Sequence, residues 1–102
     1  MNLIEYIQKH HAWSQATFGT QVSTIRLIRH IEKELKEIEA APYDLEEWID
    51  VIILAIDGAC RIGARPQEIA EALQIKQDKN IVRRFVVPTD PNQPAEHDRT
   101  ED

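Results

Sequence analysis

The stretch EEWIDVIILAIDGA, Glu46 to Ala59, decides the fold. Its VIIL segment is β-branched, which favours a strand. The apolar run is longer than an ordinary strand, however, and a helix start signal precedes it. Asp44 is a good N-cap, and Glu47 follows three residues later, as in a capping box. Glu47, Asp50 and Asp57 are spaced by three and seven, a helical register. The spacing predicts a helix running to about Ile62, with Gly63 as its stop. Such a helix is apolar nearly all round and must be covered on most sides. It also sets Asp50 and Asp57 within its greasiest part, which needs a physical reason.

The flanking segments read as helices too. A helix is expected from about Val22 to Ala41, with Ile25, Ile28, Ile31, Leu35 and Ile38 as its stripe, and Pro42 closes it. A first helix is expected from Asn2 to Ala12, around Leu3, Ile4 and Ile7. WSQATFGTQ, from Trp13 to Gln21, then reads as a loop or broken turn. Pro66 opens a fourth helix that carries Ile69, Leu73 and Ile75 toward Arg84. The expected fold is all-α, a small four-helix-type bundle. Three short companions are too few to cover the central helix, so self-association completes the bundle.

Residues 1–87 form the expected domain. Residues 88–102, PTDPNQPAEHDRTED, hold three prolines and almost nothing apolar, which reads as a flexible acidic tail. The formal net charge of the 102-residue chain is −6. The tail holds five acids and one arginine, leaving thirteen acids against eleven bases in the expected domain. That near-balance argues against binding a nucleic-acid polymer, which favours a basic excess. The single cysteine, Cys60, excludes an internal disulfide and sits in an apolar run, as a small core residue does. The first residues lack the pattern of a signal peptide, and no apolar run is long enough to cross a bilayer. A reducing cytoplasmic compartment is the expectation, with no membrane partner.

The acidic residues form a pattern. Glu34 and Glu37 lie about 60° apart on one helix face, and Glu47 and Asp50 share that offset on the next helix. If the two helices pack antiparallel across Pro42, these four carboxylates converge. Unpaired, they would repel one another and lose hydration at a cost of several kcal/mol. A hard divalent cation, Mg²⁺ or Mn²⁺, resolves this with oxygen ligands. The plainer reading is a solvated acidic face, and Glu47 alone reads as the capping-box residue. Glu46, Glu32 and Glu39 are assigned to solvent. Asp57 is open between a metal ligand, a group behind the ligands and a helix–helix hydrogen bond. His30, four residues before Glu34, reads as a ligand neighbour, a proton shuttle or a plain surface residue. The chain has no E-x-x-H pair, which excludes a di-iron bundle site.

The segment HIEKELKEIEAAPYDLEEWIDVIILAIDGACRIG, from His30 to Gly63, resembles the MazG-like nucleotide pyrophosphohydrolases. Within them, EWIDVIILAIDGA and the upstream WSQATFG are most similar to the phage-type dATP/dGTP group, also termed MazZ-like. The resemblance covers about Trp13 to Arg84. Two departures stand out: the spacer between the two acidic motifs is nine residues, and Cys60 replaces an expected tryptophan.

The resemblance implies that E-x-x-E on one helix and E-x-x-D on the next hold Mg²⁺, here Glu34, Glu37, Glu47 and Asp50. It implies attack at the α-phosphate of a (deoxy)nucleoside triphosphate, with dGTP and dATP favoured. The products are a monophosphate and pyrophosphate. Glu37, with Glu34 beside it, is the candidate to orient or deprotonate the attacking water. Lys76, Asn80 and Arg83 share a helical face, a solvated basic end by spacing alone. Their match to the family's K-x-x-x-N-x-x-R pattern assigns them to the phosphates. Trp13 and Phe18 either stack a base or pin their segment to the core. A homo-oligomer, dimer or tetramer, in a bacterial or phage-infected cell completes the expectation. The alternative is a non-catalytic helical oligomer that binds nucleotide or metal as a regulator.

Overall fold

A computed structural model of the chain describes residues 1–98. Four helices dominate: α1 (Leu3–Phe18), α2 (Thr24–Ala40), α3 (Leu45–Arg61) and α4 (Pro66–Val82). The fold is all-α, and the β-branched VIIL segment lies within α3. Two compact units make up the chain, residues 1–70 and 71–102. Helix α4 begins in the first and continues into the second. The second unit also contains two-residue strands, β1 (Phe85–Val86) and β2 (Glu96–His97), paired antiparallel with Phe85 opposite His97. Proline-rich composition gave no signal of that pair.

Local chemistry sets the helix ends. The side chain of Asn2 accepts from the Glu5 backbone N–H at 2.9 Å, and Ser23 does the same for Arg26 at 3.1 Å. Asp44 caps α3 through the Glu46 N–H at 3.0 Å. The expected capping box is not formed, and the Glu47 side chain is released to point elsewhere. The α2–α3 turn is held by the Trp48 indole N–H, which donates to the Pro42 carbonyl at 2.9 Å. Trp48 itself is half exposed. Gly63 follows the end of α3 with φ +99°, a conformation that disfavours any side chain.

Helix α1 corrects the sequence reading. It does not stop at Ala12 but runs through WSQATF to Phe18, with Gly19 (φ +84°) as its cap. Polar Ser14, Gln15 and Thr17 read as loop residues. Ser14, however, continues the inward register of Ile7 and His10, and all three are buried.

Helix α3 supplies what makes polar Ser14 and His10 tolerable there. Asp57 accepts from Arg61 Nε at 2.7 Å through one oxygen and meets His10 Nε2 at 2.9 Å through the other. Arg61 also donates Nη2 to Ser14 Oγ at 2.8 Å and Nη1 to the Gly19 carbonyl at 2.9 Å. Each polar group taken from water thus finds a partner. Asp57 is a helix–helix hydrogen-bonding group. Burial pushes its carboxyl upward, but hydrogen bonds from Ser14, Arg61 and His10 and the charge of Arg61 bring it below the ordinary range.

The apolar core of the single chain is small: Ile7, Ile38 and Cys60 are the buried hydrophobics among the described residues. Most of the expected stripe of α2 stays open, with Ile25, Ile28 and Leu35 exposed. Ile49 and Ile52 on α3 are exposed as well.

Removing one partner from the buried Asp57–Arg61 pair should cost about 3 to 5 kcal/mol. Urea unfolding of Asp57→Asn should show that loss at pH 7. The sign with pH is set by the depressed carboxyl. Its stabilisation is present above the ordinary aspartate range and is lost as pH falls through the lowered value. The variant should therefore show a flatter acid limb than the parent. Equal unfolding midpoints at pH 7 would mean that the network does not join α1 to α3.

Candidate metal centre and adjoining cavity

Helices α2 and α3 are consecutive and joined by the short turn at Pro42, so residues in the C-terminal half of α2 face residues in the first turns of α3. Glu34 and Glu37 from α2 meet Glu47 and Asp50 from α3. One carboxylate oxygen of each lies within 4.8 Å of those of the others. Glu34 is buried, Glu37 and Glu47 are half-buried, and Asp50 is exposed. The last point corrects the sequence reading, which enclosed Asp50 in apolar side chains. Its neighbour Ile49 and nearby Ile52 are themselves uncovered in the single chain.

The electrostatics of the four groups are strained. Taken as carboxylates, Glu34 Oε2 and Glu47 Oε2 are buried with no hydrogen-bond partner. Such atoms are costly in a folded protein and point to a missing ligand. Without a cation, a shared proton offsets part of the repulsion. Hydrogen bonding to Glu37, then burial, then the charges of Glu37 and Asp50 raise the Glu34 carboxyl above its usual range. Burial and the hydrogen bond to Glu37 raise Glu47. The same bonds, from Glu34 and Glu47, hold Glu37 low. Four convergent oxygens with two orphaned atoms fit a hard divalent cation such as Mg²⁺ or Mn²⁺. His30 Nε2 stands 3.4 Å from Glu34 Oε1.

A cavity of about 250 Å³ opens beside this cluster and shares Glu34 and Asp50 with it. Trp13 and Phe18 from α1 form one wall, their rings edge to face at 5.5 Å. Leu27 from α2 and Ile53 and Leu54 from α3 form the others. The His10–Asp57–Arg61–Ser14 network lies along the same cavity. A space with greasy walls, an aromatic side and acidic groups at one edge suits a flat apolar ring carrying a charged tail.

The chain matches the dATP/dGTP pyrophosphohydrolase family over residues 6–101. It belongs to that family. Neither curated proteins nor solved structures gave a match.

For a member of this family, most of the residues singled out in sequence come together in the first unit. Glu34, Glu37, Glu47 and Asp50 form the cluster, and Trp13, Phe18, His30 and Asp57 line the cavity. Lys76, Asn80 and Arg83 belong to the second unit. There Lys76 is exposed, Asn80 and Arg83 are half-buried, and Arg83 Nη1 donates to Asn80 Oδ1 at 3.2 Å. Sequence reading missed His10, Ser14 and Arg61 because the first two were assigned no inward face. The Asp57–Arg61 spacing of four was the available signal. Arg26 was also passed over, although Arg26, His30 and Glu34 recur at four-residue steps on α2 and all line the cavity.

A divalent ion competes with protons for these carboxylates, and Glu34 and Glu47 keep theirs to higher pH than ordinary glutamates. Mg²⁺ or Mn²⁺ should therefore raise the melting temperature more at pH 7.5 than at pH 5, as read by scanning calorimetry. The gain should vanish in Glu34→Gln. A pH-independent gain, or one retained in that variant, would place the ion elsewhere.

Proposed function

We propose that the chain is a metal-dependent hydrolase of purine deoxynucleoside triphosphates, dATP and dGTP, releasing a monophosphate and pyrophosphate. The single observation that carries this reading is the convergence of Glu34, Glu37, Glu47 and Asp50 within 4.8 Å at the edge of the aromatic-walled cavity. Family membership supports the substrate class.

In this reading the four carboxylates hold Mg²⁺ or Mn²⁺. When bound, the ion supplies positive charge to the phosphates and acidifies a water. Glu37 lies between Glu34 and Glu47, within hydrogen-bonding reach of both. It is the acceptor that orients the attacking water, with Glu34 alongside. Water attacks the α-phosphorus, the bond to the bridging oxygen breaks, and pyrophosphate leaves. Trp13 and Phe18 receive the base, since aromatic edges and faces suit a purine ring. His30 and Asp57 close the cavity near the sugar and base. Lys76, Asn80 and Arg83 are proposed phosphate ligands, supported by their donor chemistry.

A homo-oligomer is part of the proposal. Exposed Ile25, Ile28, Leu35 and Ile52 on α2 and α3, with Leu73 and Ile75 on α4, exceed what scattered surface hydrophobes require. No helix among the described residues is long and apolar enough to cross a membrane.

With Mg²⁺ or Mn²⁺, dATP or dGTP should yield one pyrophosphate per monophosphate, and EDTA should stop the reaction. Asp50→Asn should lower kcat on the order of a hundredfold or more while helical content is kept, since Asp50 is exposed. Glu46→Gln, on an exposed position, should stay near the parent rate. Metal-dependent nucleotide binding without turnover would favour a regulator. Full activity in Asp50→Asn would remove the assigned centre.

A further inference from the structure

The inference that follows rests on the proposed function and concerns how the base is chosen. Adenine and guanine carry opposite hydrogen-bonding groups at C6 and N1. One offers an amino donor and a bare ring nitrogen, the other a carbonyl and an N–H. On the edge away from the sugar, the acceptor they share is N7, and pyrimidines have no counterpart to it. A site that takes both purines therefore gains selectivity from a donor aimed at N7.

The cavity wall narrows down which group can donate. Arg61 is committed through all three of its nitrogens, to Asp57, Ser14 and the Gly19 carbonyl. His10 Nε2 is bound to Asp57, and His30 Nε2 faces Glu34. Trp13 packs its ring edge to face against Phe18, and its indole N–H is a single neutral donor without the fork that reaches N7 and O6 together. Arg26 differs from the other cationic groups. Its backbone N–H serves the Ser23 cap, but among the described residues its guanidinium makes no ion pair or hydrogen bond. Arg26 also lines the cavity. It lies two four-residue steps before Glu34 on one face of α2, about 12 Å along the helix axis. A nucleotide with its phosphates at Glu34 therefore directs its base toward Arg26.

We propose that Arg26 is a specificity-determining residue that selects purines by donating from its guanidinium to N7. With guanine, the planar fork reaches O6 as well, a pairing that arginine geometry favours.

The experiment uses the full chain with Mg²⁺ or Mn²⁺ and compares dATP and dGTP with 7-deaza-dATP and 7-deaza-dGTP. In these analogues a C–H replaces N7. The parent should lose about tenfold or more in kcat/KM on the analogues. Arg26→Met should lose a similar factor on dATP and almost nothing further on 7-deaza-dATP, so that the adenine ratio falls toward one, while on 7-deaza-dGTP, which keeps O6, part of the loss persists. Arg26 is exposed, so the variant should keep its helical circular dichroism. A parent that hydrolyses analogues and natural purines equally well overturns the role of Arg26 and leaves the proposed function standing. So does an Arg26→Met loss that is equal for purines, pyrimidines and analogues, the mark of a phosphate ligand. Absence of pyrophosphate release from every triphosphate would instead remove the proposed function, and the role of Arg26 with it.

Discussion

Four carboxylates held within 4.8 Å of one another repel, and the first unit is arranged around that repulsion. In water such groups would drift apart. Here two consecutive helices, joined by a turn too short to let them separate, force the encounter. The Trp48–Pro42 hydrogen bond fastens that turn. The opposite shifts of Glu34 and Glu47 against Glu37 follow directly, because protons are shared where charges cannot all coexist. Taken as carboxylates, Glu34 and Glu47 each leave one buried oxygen without a partner. A protein fold retains so costly an arrangement where a ligand supplies the missing charge.

The opposite solution operates a short distance away. Asp57 is also buried and acidic, yet its carboxyl is lowered by partners contributed by the protein itself. Arg61 and His10 satisfy its two oxygens and in doing so tie α1 to α3. Arg61 reaches on to Ser14 and to the carbonyl of Gly19, the residue that ends α1. Trp13 and Phe18 lie on the helix secured by these bonds, so the aromatic wall is fixed by a satisfied polar network. One acidic cluster has the oxygen donors to hold a cation, while the other acid has a cationic partner within the protein. The cavity lies against both.

Much of this was legible in the sequence, for identifiable reasons. The E-x-x-E and E-x-x-D spacings place each pair on one helix face, and Pro42 between them demands the reversal that joins the pairs. Helical register settled EEWIDVIILAIDGA against its β-branched content. Ser14 misled because polar residues in a segment ending at glycine look like a loop, and His10, within the expected first helix, carried no apolar sign of an inward face. Their inward register becomes sensible only once Arg61 and Asp57 are known to be opposite. Glu47 satisfied a capping pattern that the backbone does not use, since Asp44 bonds to the Glu46 N–H instead. Asp50 was read as enclosed because its sequence neighbours are apolar. Sequence adjacency does not cover a side chain; packing against another element does, and at Ile49 and Ile52 none is supplied within the chain.

That uncovered surface bears on the chemistry. An acidic site gains strength when its surroundings exclude water, because the interaction between charges grows as the local dielectric falls. Glu34 is already sheltered, whereas Asp50 is open, so the cluster is dry at Glu34 and wet at Asp50. The exposed apolar residues of α3 lie on the same helix as that wet ligand. In the proposed oligomer, a second copy that covers Ile49 and reaches the adjoining helix face would withdraw Asp50 from water as well. Assembly and metal affinity would then be coupled: the cost of desolvating Asp50 is offset only when the cation is present, and the apolar face is covered only when a second copy is.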